Sequence, residues 1–201
     1  MNNKIIIISS PSGAGKTTIC KYLLKKFNNM EISISHTTRL KRKSEKNGID
    51  YYFVSKKKFL ELKNKKFFIE TAKVFDNYYG SPFSNIKSSF KKNKHILFDI
   101  DWQGAKKLRK HFDKSQIIDF FILPPSKKEL KTRLIKRGRD NNKEINKRLS
   151  LAVSEMKHYN EYKYILINDT ISNTVDELSK IIKFHLFLDK INKNIRNYKI
   201  L

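Results

Sequence analysis

The chain has 201 residues, 39% of them hydrophobic, and a formal net charge of +25 at pH 7. This length is enough for one α/β domain with a sizeable core. Its single cysteine, Cys20, excludes an internal disulfide and favours a packing role in a reducing, cytoplasmic location. No apolar run approaches the roughly 20 residues of a membrane-spanning helix, so we expect no membrane partner.

Lysine supplies most of the positive charge. A nucleic-acid binder is one interpretation of such a charge, but the lysines are spread along the whole chain without a dense tract. We interpret them as a solvated surface and expect that no nucleic acid is required. Arginine differs, because six of the eight arginines lie within residues 39–42 and 133–148. This clustering indicates positions that need a planar, bidentate donor for phosphate.

The first predicted elements are a strand over residues 4–9 and a helix over residues 16–27. The isoleucine run is typical of a strand buried on both faces of a parallel sheet. Apolar residues spaced by four give the helix a core-facing stripe. The connecting loop is Ser10, Pro11, Ser12, Gly13, Ala14, Gly15, Lys16, Thr17 and Thr18. This order of strand, small-residue loop and helix is the layout of a phosphate-binding P-loop.

The P-loop interpretation predicts a role for each part of the loop. Gly13 and Gly15 allow the backbone to turn its N–H groups toward anionic oxygens, at the positive end of the helix dipole. Lys16 would reach the β- and γ-phosphates, and the Thr17 hydroxyl would ligate Mg²⁺. The usual first glycine is Ser10 here. The alternative is an ordinary strand–turn–helix with Lys16 in solvent.

Beyond the loop, strands and helices alternate. Alternation of this kind predicts a parallel sheet covered by helices on both faces. The further predicted strands are residues 95–101, 119–123 and 164–168, and the further helices are residues 103–112, 126–137, 143–162 and 174–195.

Two segments interrupt this alternation. Residues 33–82 contain short alternating stretches, a helix near residues 56–63 and many aromatics, which predicts an inserted β-rich subdomain. Residues 126–148 form a predicted helical hairpin, which we interpret as a lid. The domain plan is therefore core (1–32), subdomain (33–82), core (83–125), lid (126–148), and core with a C-terminal helix (149–201).

With these motifs placed, the chain resembles the guanylate kinase family. The likeness rests on nine short motifs in order: SPSGAGKT at 10–17, SISHTTR at 33–39, GIDYYF at 48–53, FIE at 68–70, NYYGS at 77–81, LFDIDWQG at 97–104, LPPS at 123–126, RGR at 137–139 and IND at 167–169. Each motif alone is weak, but nine at family-like spacing are specific. The resemblance implies a P-loop NTPase-type core with an inserted GMP-binding subdomain and a helical lid. It also implies Mg²⁺-dependent phosphoryl transfer from ATP to GMP or dGMP. Either a monomer or a homodimer fits the sequence.

The resemblance assigns one group of residues to GMP. Glu70 matches the carboxylate that accepts the two adjacent N–H donors of guanine, with Ser35 as a hydroxyl contact; the alternative is a surface ion pair. The remaining matches are Arg39, Arg42, Tyr51 and Tyr79 on the GMP phosphate, Ser81 as a phosphate or base contact, and Asp99 near the base. The alternative for Tyr51 and Tyr79 is that they only pack within the subdomain and do not contact phosphate. Where the family often has a hydroxyl residue after Ser81, this chain has Pro82, which predicts a stiffer turn.

A second group is assigned to ATP, the metal ion and the transferring phosphate. Asp101 would hold Mg²⁺ through water, and Asn168 and Asp169 match residues near adenine. The alternatives are a helix cap for either aspartate and an ordinary turn for residues 168–169. Arg133, Arg137 and Arg148 match lid arginines that close on the transferred phosphate. No general base is expected, because the acceptor is already a phosphate whose second pKa is about 6.

Two other functions remain open at this point, besides nucleic-acid binding. One is a related kinase for AMP or dTMP, which Ser35, Glu70 and the NYYGS motif argue against. The other is a non-enzymatic scaffold module that binds a phosphorylated partner, which the complete Gly15-Lys16-Thr17 argues against.

Overall fold

The computed structural model describes residues 3–136 and 142–197. Its strands are β1 (Ile5–Ser9), β2 (Met30–Ile32), β3 (His36–Thr37), β4 (Tyr52–Phe53), β5 (Phe68–Val74), β6 (Asn77–Pro82), β7 (His95–Asp99), β8 (Ile117–Leu123) and β9 (Tyr164–Ile167). Its helices are α1 (Lys16–Lys26), α2 (Lys56–Asn64), α3 (Phe83–Lys91), α4 (Trp102–Leu108), α5 (Lys127–Lys136), α6 (Asn142–Met156) and α7 (Ile171–Asn197).

The core is a five-stranded parallel sheet in the order β2-β7-β1-β8-β9. Strand β1 lies at its centre with all five residues buried, as its isoleucine run predicts. The chain moves to β7 on one side of β1 and to β8 on the other. The carboxyl ends of β1 and β7 are adjacent, with Ile8 opposite Asp99. Ligands of open α/β sheets bind in the crevice at such a point.

Helices cover both faces of the sheet. On one face, Ile19 and Leu23 of α1 pack with Leu178 and Ile182 of α7 against the strands. On the other face, α3 and α4 pack against the opposite side chains of β1 and β7. Cys20 is fully buried in the first of these clusters, so its predicted packing role is confirmed.

A second, four-stranded sheet in the order β4-β3-β6-β5 forms the insertion. The hairpin of β5 and β6 turns at Phe75 and Asp76, which have φ values of 46° and 63°. This pair of left-handed residues is the backbone of a type I′ hairpin turn, which usually contains Asn-Gly. Phe59 of α2 is fully buried beneath this sheet and stacks on Phe68 and Tyr78.

Helices α5 and α6 pack on each other through a small apolar cluster. Its buried members are Leu130, Leu134, Ile145 and Ala152. The predicted hairpin connection at residues 137–141, including Arg137, lies outside the described residues.

The predicted α/β class with a parallel sheet is confirmed, and all four predicted core strands are present. The prediction missed β2, which pairs with β7 at the sheet edge, and α3. Pro82 does not make a separate turn, because it ends β6 and is also the N-cap residue of α3. Helix α7 begins at Ile171, three residues before the prediction, and α6 ends at Met156 instead of 162.

None of the helices in residues 3–136 and 142–197 has the combined length and apolar character that a membrane span requires.

Truncation of Phe59 should destabilise the insertion strongly. Its ring is 4.7 Å from the centroid of Phe68 and has no exposed surface, so Phe59→Ala leaves a cavity that costs about 3–5 kcal/mol of unfolding free energy. The neighbouring Leu60 is 36% exposed, and Leu60→Ala should cost under about 1 kcal/mol. Urea denaturation of both variants measures the difference, and equal losses would contradict this packing.

Candidate active site

The loop after β1 has the backbone of an anion-binding turn. Gly13 and Gly15 have φ values of 101° and 97°, which side-chain-bearing residues rarely adopt. The N–H of Ala14 donates to the carbonyl oxygen of Pro11 at 3.2 Å and closes the turn. Gly15 is the N-cap residue of α1, so the loop meets the positive end of the helix dipole. These are the features that the P-loop interpretation predicts.

Asn168 supports this loop from behind. Its amide nitrogen donates to the carbonyl oxygen of Ala14 at 2.7 Å, and its amide oxygen accepts the Thr174 hydroxyl at 3.0 Å. A Cβ on Gly15 would lie 2.8 Å from the same amide nitrogen. The buried side chain of Asn168 makes both of these hydrogen bonds and therefore holds the P-loop in place. A position near adenine stays a prediction for this residue.

Lys16 and Thr17 both contact Asp99 at the end of β7. The Lys16 ammonium lies 2.9 Å from one carboxylate oxygen, and the Thr17 hydroxyl donates to the other at 2.9 Å. Lys16 also donates to the carbonyl oxygen of Ile100 at 2.9 Å. Burial alone lowers the pKa of Lys16, but the Asp99 carboxylate outweighs that effect and raises the pKa above its usual value. Lys16 is therefore a permanent cation at the cleft.

Asp101 caps helix α4. One carboxylate oxygen accepts the N–H of Gly104 at 2.9 Å and the other accepts the Gln103 amide at 3.1 Å. Burial raises the pKa of Asp101. Asp101 is thus the helix cap that is the alternative to a binding role for either aspartate. Asp99, which is predicted to lie near the GMP base, contacts Thr17.

The residues at this point fit Mg²⁺. Thr17, Asp99 and Asp101 offer only oxygen donors, which Mg²⁺ prefers. Within the described ranges, no group of three or more His, Cys, Asp or Glu residues could hold a metal ion. Mg²⁺ does not need such a cage, because it usually binds one or two carboxylates together with waters and substrate phosphates.

Glu70 lies at the far side of the cleft in a buried hydroxyl chain. The Ser81 hydroxyl donates to Glu70 at 2.6 Å, and the Ser35 and Ser81 oxygens are 2.9 Å apart. Since Ser81 gives its only hydroxyl proton to Glu70, Ser35 donates to Ser81. Burial raises the pKa of Glu70 to about 7, against the lowering effect of the Ser81 hydrogen bond. Ser81 is fully buried and therefore orients Glu70 instead of lining the cavity.

Gly104 makes room for Glu70. A Cβ at Gly104 would lie 2.6 Å from a Glu70 carboxylate oxygen, although the backbone there is ordinary helix. Only glycine allows α4 to pass this close to the carboxylate.

Two arginines meet a carboxylate on the same side of the cleft. Arg39 pairs with Glu45 at 2.8 Å, and the other Glu45 oxygen accepts the backbone N–H of Arg42 at 2.9 Å. The Arg39 guanidinium also lies 5.5 Å from the ring centroid of Tyr51, which packs edge-on against Tyr79. Glu45 and the Tyr51 ring thus hold the Arg39 guanidinium in place.

One cavity joins most of the predicted residues from both groups. Those that line it are Ser10, Pro11, Ser12, Gly13, Gly15, Lys16, Thr17, Ser35, Arg39, Arg42, Tyr51, Glu70, Tyr79, Asp99, Asp101 and Arg148. Among the other predicted residues, Ala14 is buried behind the loop, and Thr18 is exposed outside the cavity.

Arg133 lies at a smaller cavity on the other side of the glycines, with Asn168 and Asp169. Its guanidinium pairs with Glu129 at 3.0 Å and donates to the carbonyl oxygen of Asn168 at 3.1 Å. Arg133 therefore ties α5 to the end of β9, apart from the cavity that Arg148 lines.

Sequence reasoning missed Glu155, which lines the main cavity, and also Glu45 and Gly104, which contact the lining residues Arg39 and Glu70. Glu155 lines the cavity and accepts the N–H of Ser12, from 143 residues away in sequence. Gly104 was visible within the LFDIDWQG motif, but only the fold shows which side chain needs its space. No local pattern identifies the other two.

Comparisons with known proteins agree with this geometry. The guanylate kinase family model matches residues 2–185. Relatives named guanylate kinase include one from Pseudoalteromonas translucida and one from Rickettsia felis, each 46% identical over 89% of this chain. The matches cover 85% and 92% of those proteins.

A crystal structure of guanylate kinase from Anaplasma phagocytophilum superimposes with a TM-score of 0.74 and 36% identity. The match covers 90% of this chain and 85% of that one. The resemblance predicted from the nine motifs is thereby confirmed, and the chain belongs to the guanylate kinase family.

Proposed function

We propose that this chain transfers the γ-phosphoryl group of ATP to GMP, giving ADP and GDP, as ATP:GMP phosphotransferases of its family do. The observation that carries the proposal is a single cavity with a P-loop on one side and the Glu70 and Arg39–Arg42 cluster on the other. Such a cavity can hold two phosphate chains end to end. Because Ser35, Arg39, Arg42, Tyr51, Glu70 and Tyr79 reach this cavity from the insertion, residues 33–82 would be the GMP-binding part.

The ATP end uses backbone donors and one cation. The P-loop N–H groups and Lys16 would bind the β- and γ-phosphates, and Lys16 keeps its charge throughout. Thr17 with Asp99 and Asp101 would hold Mg²⁺, which supplies further neutralisation of phosphate charge when it is bound with ATP. Arg133, Asn168 and Asp169 at the smaller cavity are placed to border the rest of the nucleotide.

The GMP end uses Glu70 to recognise the base. Guanine presents two adjacent N–H donors, and one ionised carboxylate accepts both. Adenine presents no such pair. The hydroxyl chain from Ser35 through Ser81 holds the Glu70 carboxylate in one orientation, so recognition needs little rearrangement.

The acceptor phosphate would bind Arg39 and Arg42 with the hydroxyls of Tyr51 and Tyr79. It would replace Glu45, whose carboxylate lies 2.8 Å from the Arg39 guanidinium and 3.6 Å from the Arg42 guanidinium. Because this phosphate is already largely ionised near pH 7, no side chain needs to remove a proton. Catalysis then consists of in-line positioning and charge stabilisation by Lys16 and Arg148. Arg137 stays a prediction as a further lid arginine, outside the described residues.

A nucleotide panel tests the function directly. With ATP and Mg²⁺, ADP release should be fast with GMP and at least about a hundredfold slower with AMP, dTMP or UMP. Lys16→Ala should reduce turnover by roughly 10³-fold or more, because the β- and γ-phosphates of ATP lose their cationic partner. GMP binding should be retained, because Lys16 is not part of the proposed GMP site. Equal rates with AMP, or full activity of Lys16→Ala, would contradict the proposal.

Glu70→Gln should weaken GMP binding by about 1.5–3 kcal/mol, the scale of one charge-assisted hydrogen bond. The amide replaces one acceptor oxygen with a donor that faces a donor of guanine. Isothermal titration calorimetry measures the change. Glu61→Gln is the matched control, since Glu61 lies exposed on α2 and pairs only with Lys58 and Lys65 in the described structure. A GMP affinity equal to wild type in Glu70→Gln would mean that the base is bound elsewhere.

GMP binding should also depend on the titration of Glu70. Burial raises the pKa of Glu70 to about 7, and only the ionised carboxylate accepts both guanine donors. Protonation of Glu70 therefore opposes GMP binding, and the Kd for GMP should rise about tenfold for each pH unit below 7. The GMP phosphate also titrates near pH 6, so the ratio of wild-type to Glu70→Gln affinities isolates the carboxylate. A ratio that stays constant between pH 5.5 and 8 would contradict this assignment.

A further inference from the structure

Helix α6 contacts the P-loop through Glu155. One Glu155 carboxylate oxygen accepts the backbone N–H of Ser12 at 3.0 Å, between segments that are far apart in sequence. Burial raises the pKa of Glu155, against the lowering effect of this hydrogen bond. The carboxylate is thus a polar group inside the cleft with a partner on the loop that binds phosphate.

Arg148 lies on the same face of α6. Seven residues separate it from Glu155, which is nearly two helical turns, or about 10 Å along the axis. Both side chains line the cavity that contains Lys16. The Arg148 guanidinium lies 5.4 Å from the ring centroid of Phe75, at the turn of the β5–β6 hairpin. The helix therefore places one end of this face on the P-loop and the other across the cleft.

A second contact fixes the carboxyl end of α6. The ring of His158, two residues after the helix, stacks on Trp102 with centroids 3.5 Å apart and planes 8° apart. Its Nδ1 lies 2.6 Å from Glu161. Trp102 is the first residue of α4 and directly follows Asp101, the N-cap of that helix. The carboxyl end of α6 is therefore held at the P-loop through Glu155 and, through His158, at the start of α4 beside Asp101.

We propose that Glu155 is a positioning residue that sets the placement of Arg148 over the phosphates. Its bond to Ser12 N–H fixes α6 against the same loop that binds ATP. Any shift of that helix changes the distance from Arg148 to the transferred group, where an error of 1 Å can cost about a hundredfold in rate. This inference rests on the proposed function and on the role given there to Arg148.

A double-mutant cycle tests this coupling. Glu155→Met keeps the length of the side chain without an acceptor, and Glu155→Gln keeps an acceptor oxygen. We expect Glu155→Met to lower kcat by about 10–100-fold with the KM for GMP within about twofold, and Glu155→Gln to restore most of kcat. In the Arg148→Ala background, Glu155→Met should cause little further loss, because the two residues act in one unit. Ser154→Ala, exposed on the same helix, should behave as wild type.

Folding is checked by thermal melting and by the fluorescence of Trp102, the only tryptophan in the chain. If Glu155→Met does not fold, Glu155→Ala replaces it. Losses that multiply in the double variant, or equal losses in Glu155→Met and Glu155→Gln, would overturn the positioning role while GMP phosphorylation stands. Absence of GMP phosphorylation in the wild-type enzyme would instead overturn the proposed function, and full activity of Arg148→Ala would overturn the role of that arginine.

Discussion

The ion pair between Lys16 and Asp99 is the interaction on which the site depends. A cation intended for phosphate must lie in a cleft from which water is largely removed, and an unpaired charge there is costly. Asp99 lies 2.9 Å from the ammonium and raises its pKa, so Lys16 is charged before any nucleotide arrives. The central strand β1 and its neighbour β7 bring the two residues together, because their carboxyl ends are adjacent.

The same arrangement recurs at the other groups that we propose to bind phosphate. Glu45 accepts from Arg39 and from the backbone of Arg42, and Glu155 accepts from the backbone of Ser12. Protein carboxylates thus hold donors and cations in place without ligand. In the proposed function, phosphate oxygens would compete with Asp99 for Lys16 and with Glu45 for Arg39, whereas the bond from Ser12 to Glu155 would remain. The net free energy of binding is then the difference between the interaction of each cation with phosphate and its interaction with the protein carboxylate. This difference favours ligands with several correctly spaced oxygens over simple anions.

The sequence predicts well whatever depends on near neighbours along the chain. The isoleucines of β1, the two left-handed glycines and the helix that follows specify the P-loop locally. Features that depend on distant segments are harder to predict. Ser81, predicted as a phosphate or base contact, is fully buried and donates its hydroxyl to Glu70, and that bond was not predicted. Gly104 has ordinary helical geometry, and its need for glycine arises only from the approach of Glu70.

The proposed recognition of guanine by Glu70 depends on a balance between burial and ionisation. A carboxylate in water would discriminate poorly between bases, because solvent satisfies any donor that it leaves unpaired. Burial removes that solvent but also favours the neutral acid, and one hydroxyl from Ser81 only partly opposes this. The resulting pKa of about 7 leaves the group near half ionised at neutral pH. Guanine, with two donors, would supply the missing stabilisation, so ionisation and base recognition become one event.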